Sequence, residues 1–277
     1  MTLRFGLIAD IQYGDLPDRE RCRFREVPAR LARVVAALND ARLDFVVQLG
    51  DVIDGRGEAA DMHADLDVVL DLLGGLDAPL VHVLGNHGLH LPRAELCARL
   101  GLDAPRRRFD AGGARFLVLD SMELSIQGHP PGHPRAREAA AWLAAHPRAE
   151  FPEANEWNGG LGAEQRAWLA RELADAAVAG LPVVALAHHP LLGEASAAHY
   201  RAWDHAETLA VLDAGPALRA WINGHYHPGG HAARAGVWHW TLRGLVEEEA
   251  AAWVELEPGG LRVHGIGSEA DRWLAWG

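Results

Sequence analysis

Six short apolar runs in this chain end the same way, in a small knot of Asp, Asn, Gln, His and Gly. They are LRFGLIADIQYGD (3–15), DFVVQLGDVIDG (44–55), PLVHVLGNHG (79–88), RFLVLDS (115–121), PVVALAHHP (182–190) and AWINGHYHPGG (220–230). Each has the length and the Val/Leu/Ile content of a buried strand and stops at Gly or another turn residue. Helical patterns lie between them. From Pro28, residues Leu31, Val34, Val35 and Leu38 fall on one stripe, and Leu66, Val69, Leu70 and Leu73 repeat that spacing. Ala163 to Ala179 is Ala-rich and rich in good helix formers. Alternating strands and helices predict an α/β fold whose central strands are largely parallel. The late stretches VWHWTLRGL, AAWVELEPGG and LRVHGIG read as successive strands of a meander.

The first run poses a sharper question. Asp10 and Gln12 stand one residue apart at a strand end, so extended backbone would point both side chains the same way. One reading is a turn, which Asp often begins. The other is that both hold something. In open α/β sheets ligands gather beyond the carboxyl ends of the strands. Here those ends offer Asp10, Gln12, Asp51, Asn86, His87, His188, His225 and His227. Alone, each is an ordinary turn residue or surface histidine. Together, oxygen and imidazole donors at five strand ends have the chemistry of a metal cluster.

Charge sharpens this. The chain has 277 residues, 49% hydrophobic and 23% charged, which excludes wholesale disorder. Its 38 acidic residues outweigh 26 basic ones, all Arg, for a net charge of −12. Without a basic run it is a poor candidate for a general nucleic-acid binder. A small phosphate substrate remains compatible if metal ions supply the positive charge. Cys22 and Cys97 make no disulfide framework, there is no evident signal peptide, and no apolar stretch approaches 18 residues. These features lead us to expect a soluble cytoplasmic protein. Residues 121–162 break the rhythm with many Pro, Gly and His around a helical patch from Arg135 to Ala145. Such an excursion is either a lid or binding loop or a surface insertion without function.

The motifs DIQ, GDVIDG, GNH, AHHP and GHYH, in that order, resemble those of the calcineurin-like metallophosphoesterases. The first motif is usually Asp-x-His, and here it is Asp-x-Gln. That variant, with FGLIADIQYGD, VVQLGDVIDG, NGGLGAEQRAWL and NGHYHPGG, is similar to the manganese-dependent ADP-ribose/CDP-alcohol diphosphatase branch. The resemblance runs from about residue 3 to beyond Gly244. It implies a single domain over 1–277, a four-layer αββα sandwich of two mixed β-sheets flanked by helices, with 121–162 as an insertion.

The resemblance also implies a ligand set. Asp10, Gln12, Asp51 and His227 would hold one divalent ion. Asp51 would bridge to a second, held also by Asn86, His188 and His225. With only Asp10 and Asp51 charged, the site keeps a surplus of positive charge that attracts a diphosphate. The amide oxygen of Gln12 hardens the first site, which favours Mn, with Mg, Fe and Zn as alternatives. His87 would be the general acid. Asp54 would orient a histidine ligand, and His189 would either support the ligands or touch substrate. Gly88 stands where many relatives have an acid. Tyr13 and Tyr226 adjoin ligands and are candidates for substrate contact or for packing. Arg243 is a candidate for a phosphate or for a surface ion pair, and Trp157 and Trp203 are weaker candidates for a base platform. The implied activity is cleavage of a nucleoside diphosphate derivative such as ADP-ribose or a CDP-alcohol. The alternatives are a phosphodiesterase on cyclic nucleotides or glycerophosphodiesters, a phosphomonoesterase, and a non-enzymatic binding scaffold. The expected partner is a small nucleotide or phosphodiester, with neither nucleic acid nor membrane.

Overall fold

The structure is a computed structural model describing residues 2–276. Its strands are β1 Leu3–Ile8, β2 Phe45–Gln48, β3 Leu80–His82, β4 Arg107–Ala111, β5 Ala114–Val118, β6 Val183–Leu186, β7 Leu218–Asn223, β8 Gly230–Arg234, β9 Val237–Thr241, β10 Ala250–Glu257, β11 Gly260–Gly267 and β12 Arg272–Ala275. The helices are α1 Val27–Asp40, α2 Ala59–Leu73, α3 Arg93–Arg99, α4 Pro134–Ala145, α5 Gly162–Ala179 and α6 His205–Asp213. One sheet has the order β12-β11-β10-β1-β2-β3 and the other β4-β5-β6-β7-β9-β8. Both are mixed. The pairs β1–β2, β2–β3, β5–β6, β6–β7 and β7–β9 are parallel, and antiparallel strands complete each sheet.

Strand alternation assembles the layers. Phe5, Leu7, Phe45 and Val47 face Phe116, Val118, Val184, Leu186, Ala220 and Ile222 in a core between the sheets. The intervening side chains Ile8 and Val46 point outward, onto the apolar stripes of α1 and α2. On the other sheet Leu117, Val183, Ala185 and Trp221 meet Leu169 and Leu173 of α5 and Leu209 and Leu212 of α6. Runs that are apolar on both faces are therefore explained by helices on one side and a second sheet on the other. This is the four-layer αββα sandwich expected.

One strand lies elsewhere than expected. VWHWT is β9, paired parallel to β7 in the second sheet, so the late meander consists of β10, β11 and β12 alone. Trp240 fills the core between the sheets and Val237 the core beneath α5 and α6, and the turn at 244–249 then carries the chain across to the other sheet.

The excursion after β5 is anchored at its base. Leu124 and Gly160 exchange backbone hydrogen bonds at 3.0 and 2.9 Å. Arg93 donates to Asp120 Oδ2, the Gly128 carbonyl and the Met122 carbonyl at 2.6, 2.7 and 2.6 Å. Helix α4 sits on a small core of its own, with Ala139, Leu124 and Trp203 buried and Trp142 stacked on Trp203 at 5.0 Å. Among the described residues no helix is long and apolar enough to cross a membrane.

Candidate metal centre

Backbone hydrogen bonds continue past the strand ends within each sheet, joining the segments after β1 and β2 in one and those after β6 and β7 in the other. Asp10 N–H reaches the Gly50 carbonyl at 3.3 Å, Gln12 N–H the Asp51 carbonyl at 2.8 Å, and Gly224 N–H the His188 carbonyl at 3.2 Å. Four side chains converge on one point. His188 Nε2 lies 3.2 Å from Asp51 Oδ2, 3.1 Å from Asn86 Oδ1 and 3.0 Å from His225 Nδ1. The opposite ring nitrogens are tied back. His188 Nδ1 donates to the Leu49 carbonyl at 2.8 Å, and His225 Nε2 donates to Asn158 Oδ1 at 2.8 Å. Each tie fixes the tautomer, so the converging nitrogen presents its lone pair. Burial, with neighbouring His189 and His188, pushes the His225 pKa well below its usual value and keeps the ring neutral, as a donor must be. For Asp51 burial opposes ionisation, but His188 and His87 outweigh it and hold the carboxyl below the usual carboxylate range.

The second group stands beside it. Asp10 accepts the His225 backbone N–H at 3.0 Å, and His227 Nε2 lies 3.8 Å from Asp10 Oδ1. His227 Nδ1 is 3.3 Å from Glu247 Oε1, a carboxylate behind a histidine that the sequence did not single out. Gln12 gives the clearest sign of what the site is built to hold. Its Nε2 donates to Asp54 Oδ1 at 3.0 Å, while its Oε1 is buried without a hydrogen-bond partner. A bare buried carbonyl oxygen is costly unless a cation or donor meets it. The donors present, carboxylate, amide oxygen and neutral imidazole, fit a pair of divalent ions sharing Asp51. Asp54 thus has a different neighbour from the one expected: it orients the Gln12 amide, and its backbone carbonyl accepts from His87 Nδ1 at 2.7 Å.

Close approach explains the glycines of the motifs. A Cβ on Gly85 would lie 2.2 Å from Asp51 Oδ1, and one on Gly224 would lie 2.6 Å from Asp10 Oδ2. The residues ahead of Asn86 and His225 must therefore lack side chains for the carboxylates to reach their positions.

A cleft of 390 Å³ opens over these groups, lined by Gln12, Asp51, Asn86, His87, His225 and His227 among others. Arg19, Arg21 and Arg56 stand at it, with Trp157 and Tyr200 on one wall, their rings 5.3 and 5.4 Å from His225. The remaining sequence candidates fall outside its lining. Tyr13 packs against the α1–α2 core, Tyr226 lies against Tyr200 at 5.1 Å, and Arg243 pairs with Glu248 at 2.7 Å. Trp203 is buried beneath α4. His189 is fully buried, with Nδ1 2.8 Å from Ser121 Oγ and its ring against His225, so it supports the ligands and does not reach the cleft. Gly88 is packed on α3, where a Cβ would come within 3.0 Å of the Leu96 side chain, so a larger residue there would have to shift Leu96. Sequence reasoning missed Tyr200, Gln127, Glu247, Cys22 and the role of Asn158. Asn158 lies in the quoted NGGLGAEQ stretch, but only the fold shows that its side chain meets His225.

Comparison with known proteins agrees with this geometry. The family model described as calcineurin-like phosphoesterase matches residues 3–229. A manganese-dependent ADP-ribose/CDP-alcohol diphosphatase of Oryza sativa subsp. japonica is 32% identical, over 96% of this chain and 92% of its own. A protein of the same name from Mus musculus is 28% identical, over 97% and 92%. The crystal structure of a dimetal phosphatase from Danio rerio superposes with a TM-score of 0.92 at 26% identity, covering 99% of both chains. The order of the motifs, the two-sheet sandwich and the family match over residues 3–229 agree: this chain belongs to the calcineurin-like phosphoesterase family.

Proposed function

We propose that this protein is a two-ion hydrolase that cleaves the phosphoanhydride of nucleoside diphosphate derivatives such as ADP-ribose and CDP-alcohols. The observation that carries the reading is the Gln12 carboxamide, locked by Asp54 with its oxygen bare among Asp10, Asp51 and the histidines. The relatives that share most of this chain's length bear names for that activity with manganese, and an oxygen-rich first site suits Mn. Asp10, Gln12, Asp51 and His227 would hold one ion, and Asp51, Asn86, His188 and His225 the other. When bound, the ions supply Lewis acidity, drawing charge from phosphoryl oxygens and acidifying water.

The chain's own groups do the rest. His87 Nδ1 donates to the Asp54 carbonyl and Nε2 lies 3.1 Å from the Gln12 amide nitrogen, so Nε2, beside Gln12, is the edge of the ring that would serve the leaving oxygen. The His87 backbone N–H donates to Asp51 Oδ1 at 2.8 Å, tying the acid to the shared ligand. The Asp54 carboxylate also lies close, 3.5 Å from His87 Nδ1. Arg19, Arg21 and Arg56 give a net acidic chain cations at its cleft. Trp157 and Tyr200 offer faces on which a base can stack. The segment 121–162 acts as a wall of the site within a single domain, contributing Gln127 and Trp157 to the cleft and Asn158 to His225. A scaffold role has less support, because all seven proposed ligand positions and His87 carry competent side chains.

The test is product analysis on metal-stripped protein repleted with Mn²⁺, Mg²⁺ or Zn²⁺, offered ADP-ribose, CDP-choline, cyclic AMP and a simple monoester. AMP and CMP should form from the diphosphates, fastest with Mn²⁺. Turnover confined to cyclic AMP or the monoester would overturn the substrate class.

A further inference from the structure

We infer that Cys22, His227 and Glu247 form a third cation site, selective for thiophilic ions such as zinc or cadmium, whose occupation strips the first ion of its histidine. The inference rests on the reading of His227 as a ligand of that first ion. Donor atoms of the three residues all lie within 4.8 Å of one another. Cys22 is largely buried yet lines the cleft, so its thiol is reachable from the substrate side. Glu247 places Oε1 3.3 Å from His227 Nδ1, while Arg21 stands 2.8 Å from the other carboxylate oxygen. One oxygen therefore remains for an ion.

The two sites face opposite edges of one imidazole. His227 directs Nε2 toward Asp10 and Nδ1 toward Glu247. Thiolate with imidazole and carboxylate is a donor set that zinc and cadmium take readily, whereas Mn²⁺ favours the oxygen-rich set around Asp10 and Gln12. A neutral imidazole has one free lone pair. When a thiophilic ion takes Nδ1, the ring proton resides on Nε2, and the first site loses a ligand. The exchange balances: one thiophilic ion enters, the first Mn²⁺ leaves, the ring proton moves from Nδ1 to Nε2, and the Cys22 thiol gives its proton to solvent. The arrangement is an inhibitory site that senses soft divalent ions beside a centre built for a harder one.

The experiment titrates manganese-loaded protein with Cd²⁺, recording the thiolate-to-cadmium charge-transfer absorption, the paramagnetic resonance of released Mn²⁺, and activity. Wild type and C97S should show the band, release one Mn²⁺ per chain and lose activity together, with excess Mn²⁺ restoring it. C22S should show no band, and the Cd²⁺ needed to release Mn²⁺ should rise by about tenfold or more. Should C22S fold poorly by circular dichroism, E247Q retains the thiol and should form the band only at higher Cd²⁺. Absence of the band in wild type, or equal Mn²⁺ release from C22S, would overturn the inference. A wild type that forms the band but binds no Mn²⁺ would support the thiolate site and overturn the two-ion reading.

Discussion

Gly85→Ala tests the site through a single methyl group. Gly85 precedes the proposed ligand Asn86, and its φ is not in the left-handed region, so Ala is tolerated by the backbone there. Space is the obstacle. A Cβ would stand 2.2 Å from Asp51 Oδ1, 2.3 Å from Asp51 N and 2.9 Å from Asp51 Cγ, where ordinary contact begins at 3.4 Å. The deficit at Oδ1 is 3.4 − 2.2 = 1.2 Å, and because the Asp51 backbone is also struck, no side-chain rotation relieves it. Asp51 is pinned from both sides, its carbonyl by Gln12 N–H and its Oδ1 by His87 N–H, each at 2.8 Å. The methyl group must therefore move the carboxylate proposed to be shared by both ions. A misplacement of roughly 1 Å lowers turnover on the order of 10²-fold, or about 2.7 kcal/mol of barrier, and overpacking destabilises the fold by about 1–3 kcal/mol. The assay is kcat/KM at saturating Mn²⁺ with Mn²⁺ binding by calorimetry and a urea melt. Gly193→Ala is the control, since nothing lies within 4 Å of its Cβ. Two Mn²⁺ bound at wild-type affinity, with turnover within about threefold of wild type, would refute the reasoning.

His87→Ala should lower turnover by about 10²–10⁴-fold while Mn²⁺ content, read by elemental analysis, stays unchanged; intact turnover would remove His87 as the proton donor. Gln12→His replaces the bare amide oxygen with imidazole and should raise the activity ratio of Zn²⁺ to Mn²⁺, measured on the stripped enzyme. An unchanged ratio would show that Gln12 does not set metal preference. Stability should fall on acidification through two buried histidines remote from the cleft. Burial, reinforced by Arg107 and Arg234, pushes His82 and His239 down to about 4. Both folded values lie below the unfolded 6.5, so the unfolded chain binds protons first. The stability is complete above pH 6.5 and drains away as pH falls toward 4. Each residue accounts for up to about 3 kcal/mol at the acid end. Urea melts across that range should show the decline, and His239→Gln should flatten it; a slope unaltered in H239Q would contradict the assignment.

The layers and the candidate ligands are legible in the sequence for the same reason. Apolar runs such as VVQLGD and VVALAHH are confined to strands covered on both faces, and their polar ends can lie only at the sheet edge. VWHWT reads as a meander strand because its alternation is the same in either sheet, and only Trp240 in the core between them and the parallel pairing with β7 decide. The supporting residues were hidden for a different reason. Glu247 is one of three successive glutamates, and nothing in EEE shows which one faces His227. Asn158 is 67 residues from His225, and Tyr200 reaches the cleft from a turn between β6 and α6. Such contacts are set by how the 121–162 segment and the 198–200 turn fold onto each other. Asn158 Nδ2 donates to the His199 carbonyl at 2.8 Å, a link that has no periodicity to read.

The first question, turn or ligand at Asp10, turns out to pose no choice. Asp10, Gln12, Asp51 and His225 all have left-handed backbone, with φ of 48°, 46°, 56° and 71°. Each is a turn residue in conformation and a proposed ligand in chemistry. Glycine would enter that region without strain but would bring no donor atom. A residue with a Cβ costs about 1–3 kcal/mol there. The strain is sustained by the surrounding sheets: the Ala9 and Asp10 carbonyls accept from Leu245 and Val246, and the Asp51 carbonyl accepts from Gln12. Left-handed backbone at a strand end turns the next peptide away from the strand direction, so successive side chains no longer alternate as the simple strand picture requires. That lets Asp10 and Gln12 approach Asp51 from one sheet while His225 comes from the other. Four of the seven described non-glycine residues with positive φ are proposed ligands, the others being Glu20, Arg42 and Ala235, so at these four positions local strain coincides with donors brought from two sheets.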